Sequence, residues 1–121
     1  MILGLRTVVY STPDLVAGKA WYSKVVEKQP YFDEPFYVGF EVGGFELGLI
    51  PDGKTNLHGP LAYWGVADAE VELKRLESLG ARVIDPAHEV GGGIFVASVA
   101  DPFGNSFGII QNPHFSAANV R

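Results

Sequence analysis

Two hydrophobic rhythms alternate along this chain, and each alternation occurs twice. Residues 5 to 11, LRTVVYS, are rich in β-branched and aromatic side chains and predict a strand. Thr12-Pro13-Asp14 then supplies an N-cap, a proline for the first helical turn and an acid for the helix dipole. The spacing of Leu15, Gly18, Tyr22, Val25 and Val26 predicts a helix over about 13–28. Period-two alternation returns in FYVGFEV (36–42) and FELGLI (45–50), hinged at Gly43-Gly44 and ended by Pro51-Asp52-Gly53. The second round begins at LAYWGV (61–66). Asp68 caps the helix AEVELKRLESL, in which Glu70 stands four residues before Lys74, and Gly80 is placed to stop it. Strands follow at ARVID (81–85), IFVASVA (94–100) and NSFGII (105–110), with Gly91-Gly92-Gly93 in a loop expected to be flexible.

Laid side by side, Ser11 to Asp14 falls on Gly65 to Asp68, and Phe45 to Ile50 falls on Asn105 to Ile110. A period of roughly 55 to 60 residues indicates two copies of one supersecondary unit, each unable to bury its sheet face alone. The expected class is α+β. The expected organisation is one domain over 1–121, with a first module over about 1–56 and a second over about 57–121.

Composition narrows the partners. The chain has 121 residues, is 47 % hydrophobic and carries a formal charge of −5, so it offers no basic stripe for nucleic acid or an anionic membrane. It has no cysteine, which excludes disulfides, thiolate nucleophiles and sulfur-ligated metal. No run approaches the roughly 20 apolar residues of a bilayer span, and Arg6 interrupts the opening apolar run before a signal peptide is established, so a cytoplasmic protein is expected.

Strand alternation assigns faces. Phe36, Val38, Phe40 and Val42 share one face, expected to be core, and Tyr37, Gly39 and Glu41 share the other. In FELGLI the apolar face is Phe45, Leu47 and Leu49, opposite Glu46, Gly48 and Ile50. In NSFGII it is Phe107 and Ile109, opposite Ser106, Gly108 and Ile110. Glycines at 39, 48 and 108 leave room on a sheet face, and close-packed proteins fill such room with a helix, a loop, a partner subunit or a ligand.

The ordered pair of strand and Asp-capped helix, Val8 to Asp14 and Tyr63 to Asp68, together with the closing DPFGNSFGIIQ, resembles the glyoxalase/bleomycin-resistance/dioxygenase family, the vicinal oxygen chelate fold, over essentially the whole chain. The resemblance implies two βαβββ modules whose sheets form an open cup, with helices outside and a small-molecule ligand inside. It also implies a homodimer, two chains completing two cups. Metal-dependent members carry four His or Glu ligands, on the first and last strand of each module. Carried over, those positions fall on Thr7, on Gly48 (or Glu46 after a register slip), on Ala62 and on Gly108. Alanine and glycine have no donor side chain, so a member without metal or other cofactor is expected.

The remaining cup-facing candidates are Thr7, Tyr37, Glu41, Glu46 and Trp64, the last sharing its face with Ala62; with Gly48, Ser106 and Gly108 they form the expected ligand site. Tyr37 and Trp64 offer rings for a planar ligand, and Glu46 is the candidate general base. His58, His88 and His114 lie in turn-like segments without a second ligand at helical or strand spacing. Gly91-Gly92-Gly93 precedes a strand and not a helix, which excludes a phosphate cradle, and no Gly-x-Ser-x-Gly elbow occurs. Two functions stay open: a metal-free binding protein for a small planar or hydrophobic molecule, and a lyase or isomerase similar to lactoylglutathione lyase, acting on a small carbonyl compound or thiol adduct. The tail NPHFSAANVR either packs on a partner through Phe115 or frays.

Overall fold

The computed structural model describes residue 1 and residues 3–120. The first module runs β1 (Thr7–Ser11), α1 (Leu15–Val26), β2 (Phe32–Glu34), β3 (Tyr37–Val42) and β4 (Phe45–Ile50). The second runs β5 (Tyr63–Gly65), α2 (Ala69–Ser78), β6 (Arg82–Gly91), β7 (Ile94–Ala100) and β8 (Ser106–Gln111), and a 3-10 turn follows at Ala117–Asn119. Each is a βαβββ unit. The two mixed sheets have the same strand order, β1-β4-β3-β2 and β5-β8-β7-β6, and in each the first strand runs parallel to the last.

Local chemistry accounts for most boundaries. Asp14, and not Thr12, is the N-cap of α1: its carboxylate accepts the Ala17 N–H at 3.1 Å, and Asp68 does the same for Val71 in α2. Thr12 is instead fully buried beneath α1, where a Cβ on Gly18 would come within 2.6 Å of its hydroxyl. Helix α2 ends in a Schellman motif, with Gly80 N–H donating to Glu77 O and Ala81 N–H to Leu76 O. Gly80 there has φ +103°, a conformation side chains disfavour. The hairpins β3–β4 and β6–β7 turn on Gly43-Gly44 and Gly92-Gly93, all at positive φ as tight two-residue turns require. The triglycine segment thus ends β6 at Gly91 and turns at Gly92-Gly93, where a loop was expected. β6 continues through His88 to Gly91 by three register shifts, which moves His88 from a loop onto a strand.

One hydrophobic core joins the modules. Trp21, Tyr22 and Val25 of α1 and Leu73 and Leu76 of α2 pack with Phe40, Leu47 and Leu49 of the first sheet and Val99, Phe107 and Ile109 of the second. Polar links run through the same region. Trp21 Nε1 donates to Leu79 O at 2.7 Å, Tyr22 Oη to Asp101 at 2.6 Å, and Arg75 Nη2 of α2 to Val25 O of α1 at 2.7 Å. Asp101 also accepts the N–H groups of Phe103 and Asn105, and Asn105 Nδ2 reaches back to Ser11 O at 2.8 Å. The DPFGN segment is thus a buried lock between modules. With both helices on one side of the sheets, the opposite faces are left open.

Candidate functional site

Glu46 stands on β4 on the open face of the first sheet, opposite Thr7 of β1 and Glu41 of β3. One of its oxygens accepts the hydroxyl of Tyr31 and the other that of Tyr37. The Tyr37 ring lies over Gly48, so that a Cβ there would overlap its phenol, and Tyr31 reaches over Gly39, 3.3 Å from where a Cβ would stand. Gly48 thus leaves its side-chain volume to an aromatic ring. Burial first, then the hydrogen bond and charge of Glu46, pushes the Tyr37 phenol well above its ordinary value, and the hydrogen bond to Glu46 raises Tyr31 as well. Both tyrosines are therefore held as donors.

Aromatic rings extend this centre. Phe32 is 6.0 Å from Phe36 and 6.1 Å from Tyr37 between ring centroids, both edge-on. Phe36, expected in the core, sits in the Pro35-Phe36 turn between β2 and β3 and is 65 % exposed, as is Tyr31. The sequence pattern missed this because β3 begins at Tyr37, one residue after the alternation suggests, and because β2 is only three residues long.

The second sheet fills its gap in a parallel way. A Cβ on Gly108 would lie 2.6 Å from Ala62 O and 2.8 Å from the Tyr63 ring. Ser106 Oγ donates to Leu57 O at 2.5 Å and its N–H to Asn56 O at 2.9 Å, which pins the linker between β4 and β5 to the start of β8. Small side chains on this strand make room for a tyrosine and for the linker.

Trp64 and Ala62, both expected in the ligand site, are placed elsewhere. Tyr63 pairs with Gly108, so strand alternation turns Trp64 to the core side. There it stacks on Phe107 with centroids 6.5 Å apart and donates Nε1–H to Tyr10 Oη at 2.9 Å. Ala62 precedes β5 and presents its carbonyl to the Gly108 N–H. Glu41 is occupied structurally: it pairs with Lys28 and accepts the Gly44 N–H at 2.8 Å, and the Lys28 hydrogen bond holds its carboxyl below the ordinary range. Thr7 is exposed beside Glu46. His88 pairs with Asp85 at 2.9 Å, and His114 meets Gly92 O at 2.7 Å. Among the described residues no cluster of three or more His, Asp or Glu is arranged to hold a metal ion, and no helix is long and apolar enough to cross a membrane.

The sequence pattern of the glyoxalase-like domain matches residues 7–110. No curated protein is significantly similar in sequence. Among solved structures, a glyoxalase-related enzyme from Fulvimarina pelagi superposes with a TM-score of 0.79 at 19 % identity, over 99 % of this chain and 96 % of that one. A lactoylglutathione lyase from Agrobacterium tumefaciens gives 0.76 at 19 % identity, over 96 % and 100 %. A glyoxalase/bleomycin resistance protein/dioxygenase family enzyme from Burkholderia phytofirmans gives 0.69 at 22 % identity, over 87 % and 95 %. At these identities the likeness is one of fold.

Proposed function

This chain belongs to the glyoxalase-like domain family, and on that footing we propose that the open face of its first sheet binds a small planar molecule without a metal ion. The observation that carries the reading is a carboxylate held by two phenols and bordered by exposed aromatic rings. Exposed aromatic clusters rimmed by polar groups mark binding surfaces, and Tyr31, Phe32 and Phe36 offer ring faces and edges around Glu46. The ligand that fits is flat, with a donor or positive charge directed at Glu46. The positions corresponding to a metal set do not fit an ion. Thr7 and Glu46 are the only donors there, Ala62 presents a main-chain carbonyl already bonded, and Tyr37 and Tyr63 occupy the space above Gly48 and Gly108. A second copy of the chain is part of the proposal: Val9, Phe32 and Phe36 are exposed on or beside the open face, and a partner covering them would close the cup.

Titration with 9-aminoacridine, a flat cation, tests the site. Phe36→Ala is expected to weaken it by about 1 to 3 kcal/mol, and Glu46→Gln to weaken it as well. Binding indifferent to both substitutions removes this face from the function. Stoichiometric uptake of nickel, zinc or manganese by the stripped protein would overturn the metal-free reading, and a monomer in light scattering at micromolar concentration would overturn the dimer. A metal-free lyase or isomerase with Glu46 as base draws on one observation, the phenols beside the carboxylate as a route for a proton. It is the weaker reading, because both Glu46 oxygens already accept phenolic hydrogens. Turnover of a small carbonyl compound or thiol adduct that Glu46→Gln abolishes would establish it.

A further inference from the structure

We infer that a groove at the junction of the two modules is a second binding site, made for a medium-chain amphipathic carboxylate. The groove, about 850 Å³, runs between the approach to β1 and the end of β5, a volume within the range of small-molecule sites. Leu5, Val42 and Phe45 form its wall on the first module, Val66 and Ile110 its wall on the second, and Phe115 of the tail borders it. The tail is held there by the contact of His114 with Gly92 O, so it packs on its own chain. None of Glu46, Tyr37, Gly48 and Gly108 lines this groove, which separates it from the open-face site.

Charge selects the occupant. In a chain of net charge −5, the lining among the described residues contains no Asp or Glu and a single charged residue, Arg6. Among the described residues Arg6 makes no ion pair. Its Nη1 donates to the neighbouring Leu5 O, at 3.2 Å, and the residue lines the groove. A guanidinium presents a planar pair of donors that matches a carboxylate. With one cation among its described lining residues, the groove suits a monoanion over a phosphate dianion, and its apolar walls suit a hydrocarbon body.

Calorimetric titration of the full-length protein with decanoate, with decanol as the neutral isostere, tests the assignment. Saturable one-site binding of decanoate is expected, and Arg6→Met should weaken it roughly tenfold to a hundredfold, the range of a hydrogen bond to a charged group, while leaving decanol unchanged. Leu5→Asp, at an exposed position beside Arg6, should abolish decanoate binding. The Trp64 indole N–H resonance should shift on saturation, since Trp64 lines the groove. Glu46→Gln should leave decanoate affinity at its wild-type value. Failure to saturate, or equal affinity in wild type and Arg6→Met, would overturn the proposal, whatever 9-aminoacridine does on the open face.

Discussion

The phenol of Tyr37 stands where a side chain on Gly48 would stand, and it donates from there to Glu46. Tyr63, together with the Ala62 carbonyl, covers Gly108 in the same sense. Glycines that read as gaps in the sequence are therefore one half of two packing partnerships, each completed by an aromatic residue on a neighbouring strand.

The two partnerships differ in what an added methyl would strike. At Gly48 it meets the far end of a tyrosine side chain, which can swing away from Glu46; at Gly108 it meets main chain. Gly48→Ala is expected to lose about 1 kcal/mol or less and to release Tyr37 from Glu46, whereas Gly108→Ala should lose about 2 to 3 kcal/mol. Urea unfolding of both variants checks the order, and equal losses would contradict it.

Tyr10 and Trp64 link β1 to β5 by a single hydrogen bond of 2.9 Å. Tyr10→Phe and Trp64→Phe should each destabilise the protein. The double-mutant cycle is expected to show a coupling of about 1 kcal/mol, the worth of a neutral partly buried hydrogen bond. A coupling of zero would mean that the junction is held by ring packing alone.

Burial pushes the Tyr10 phenol up to about 12, against the Trp64 hydrogen bond, which lowers it; Tyr22 is raised in the same direction by burial and then by the charge of Asp101. Both phenols are thus raised above the unfolded value near 10. Their contribution is fully present below pH 10 and is lost as pH climbs toward 12, because the unfolded chain releases protons that the native state retains. Tyr10 alone accounts for about 2 to 3 kcal/mol of that loss. Unfolding free energies measured from pH 8 to 12 should fall across this window, and Tyr10→Phe should flatten the decline.

Asn105→Ala removes donors to Ser11 O and to Asp101, all buried. A loss of about 2 to 4 kcal/mol is expected from the groups left unpaired, with affinity for 9-aminoacridine unchanged in the folded fraction. A stability loss below 1 kcal/mol would show that the lock is not needed.

The repeat, both helices and the second helix's ends were legible in the sequence because local rules govern them: Asp68 caps and Gly80 terminates. At the first helix the sequence points to Thr12 as the cap, because Thr and Asp are both good caps and only burial of Thr12 beneath α1 leaves the role to Asp14. Glu46, Tyr37 and Gly48 were legible as cup-facing positions through strand alternation, but not the contact of Tyr37 with the other two. Tyr31, Tyr63 and the short β2 were not. Tyr31 acts across the hairpin from outside any strand, and Tyr63 and Trp64 exchanged faces because LAYWGV contains only three strand residues, too few to fix a phase from hydrophobicity when both candidates are aromatic. The DPFGN segment pointed to a turn, but its role as a lock depends on Tyr22 and Ser11, 79 and 94 residues away.

That separation has a consequence for synthesis. The first module leaves the ribosome with Tyr22 lacking its acceptor and the Ser11 carbonyl lacking its donor, and both wait for residues 101 to 105 of the second module. Late contacts of such long range delay native closure. The first module is thus committed to its native arrangement only once the second has been made, and until then its sheet depends on the surrounding cell to keep it from pairing elsewhere.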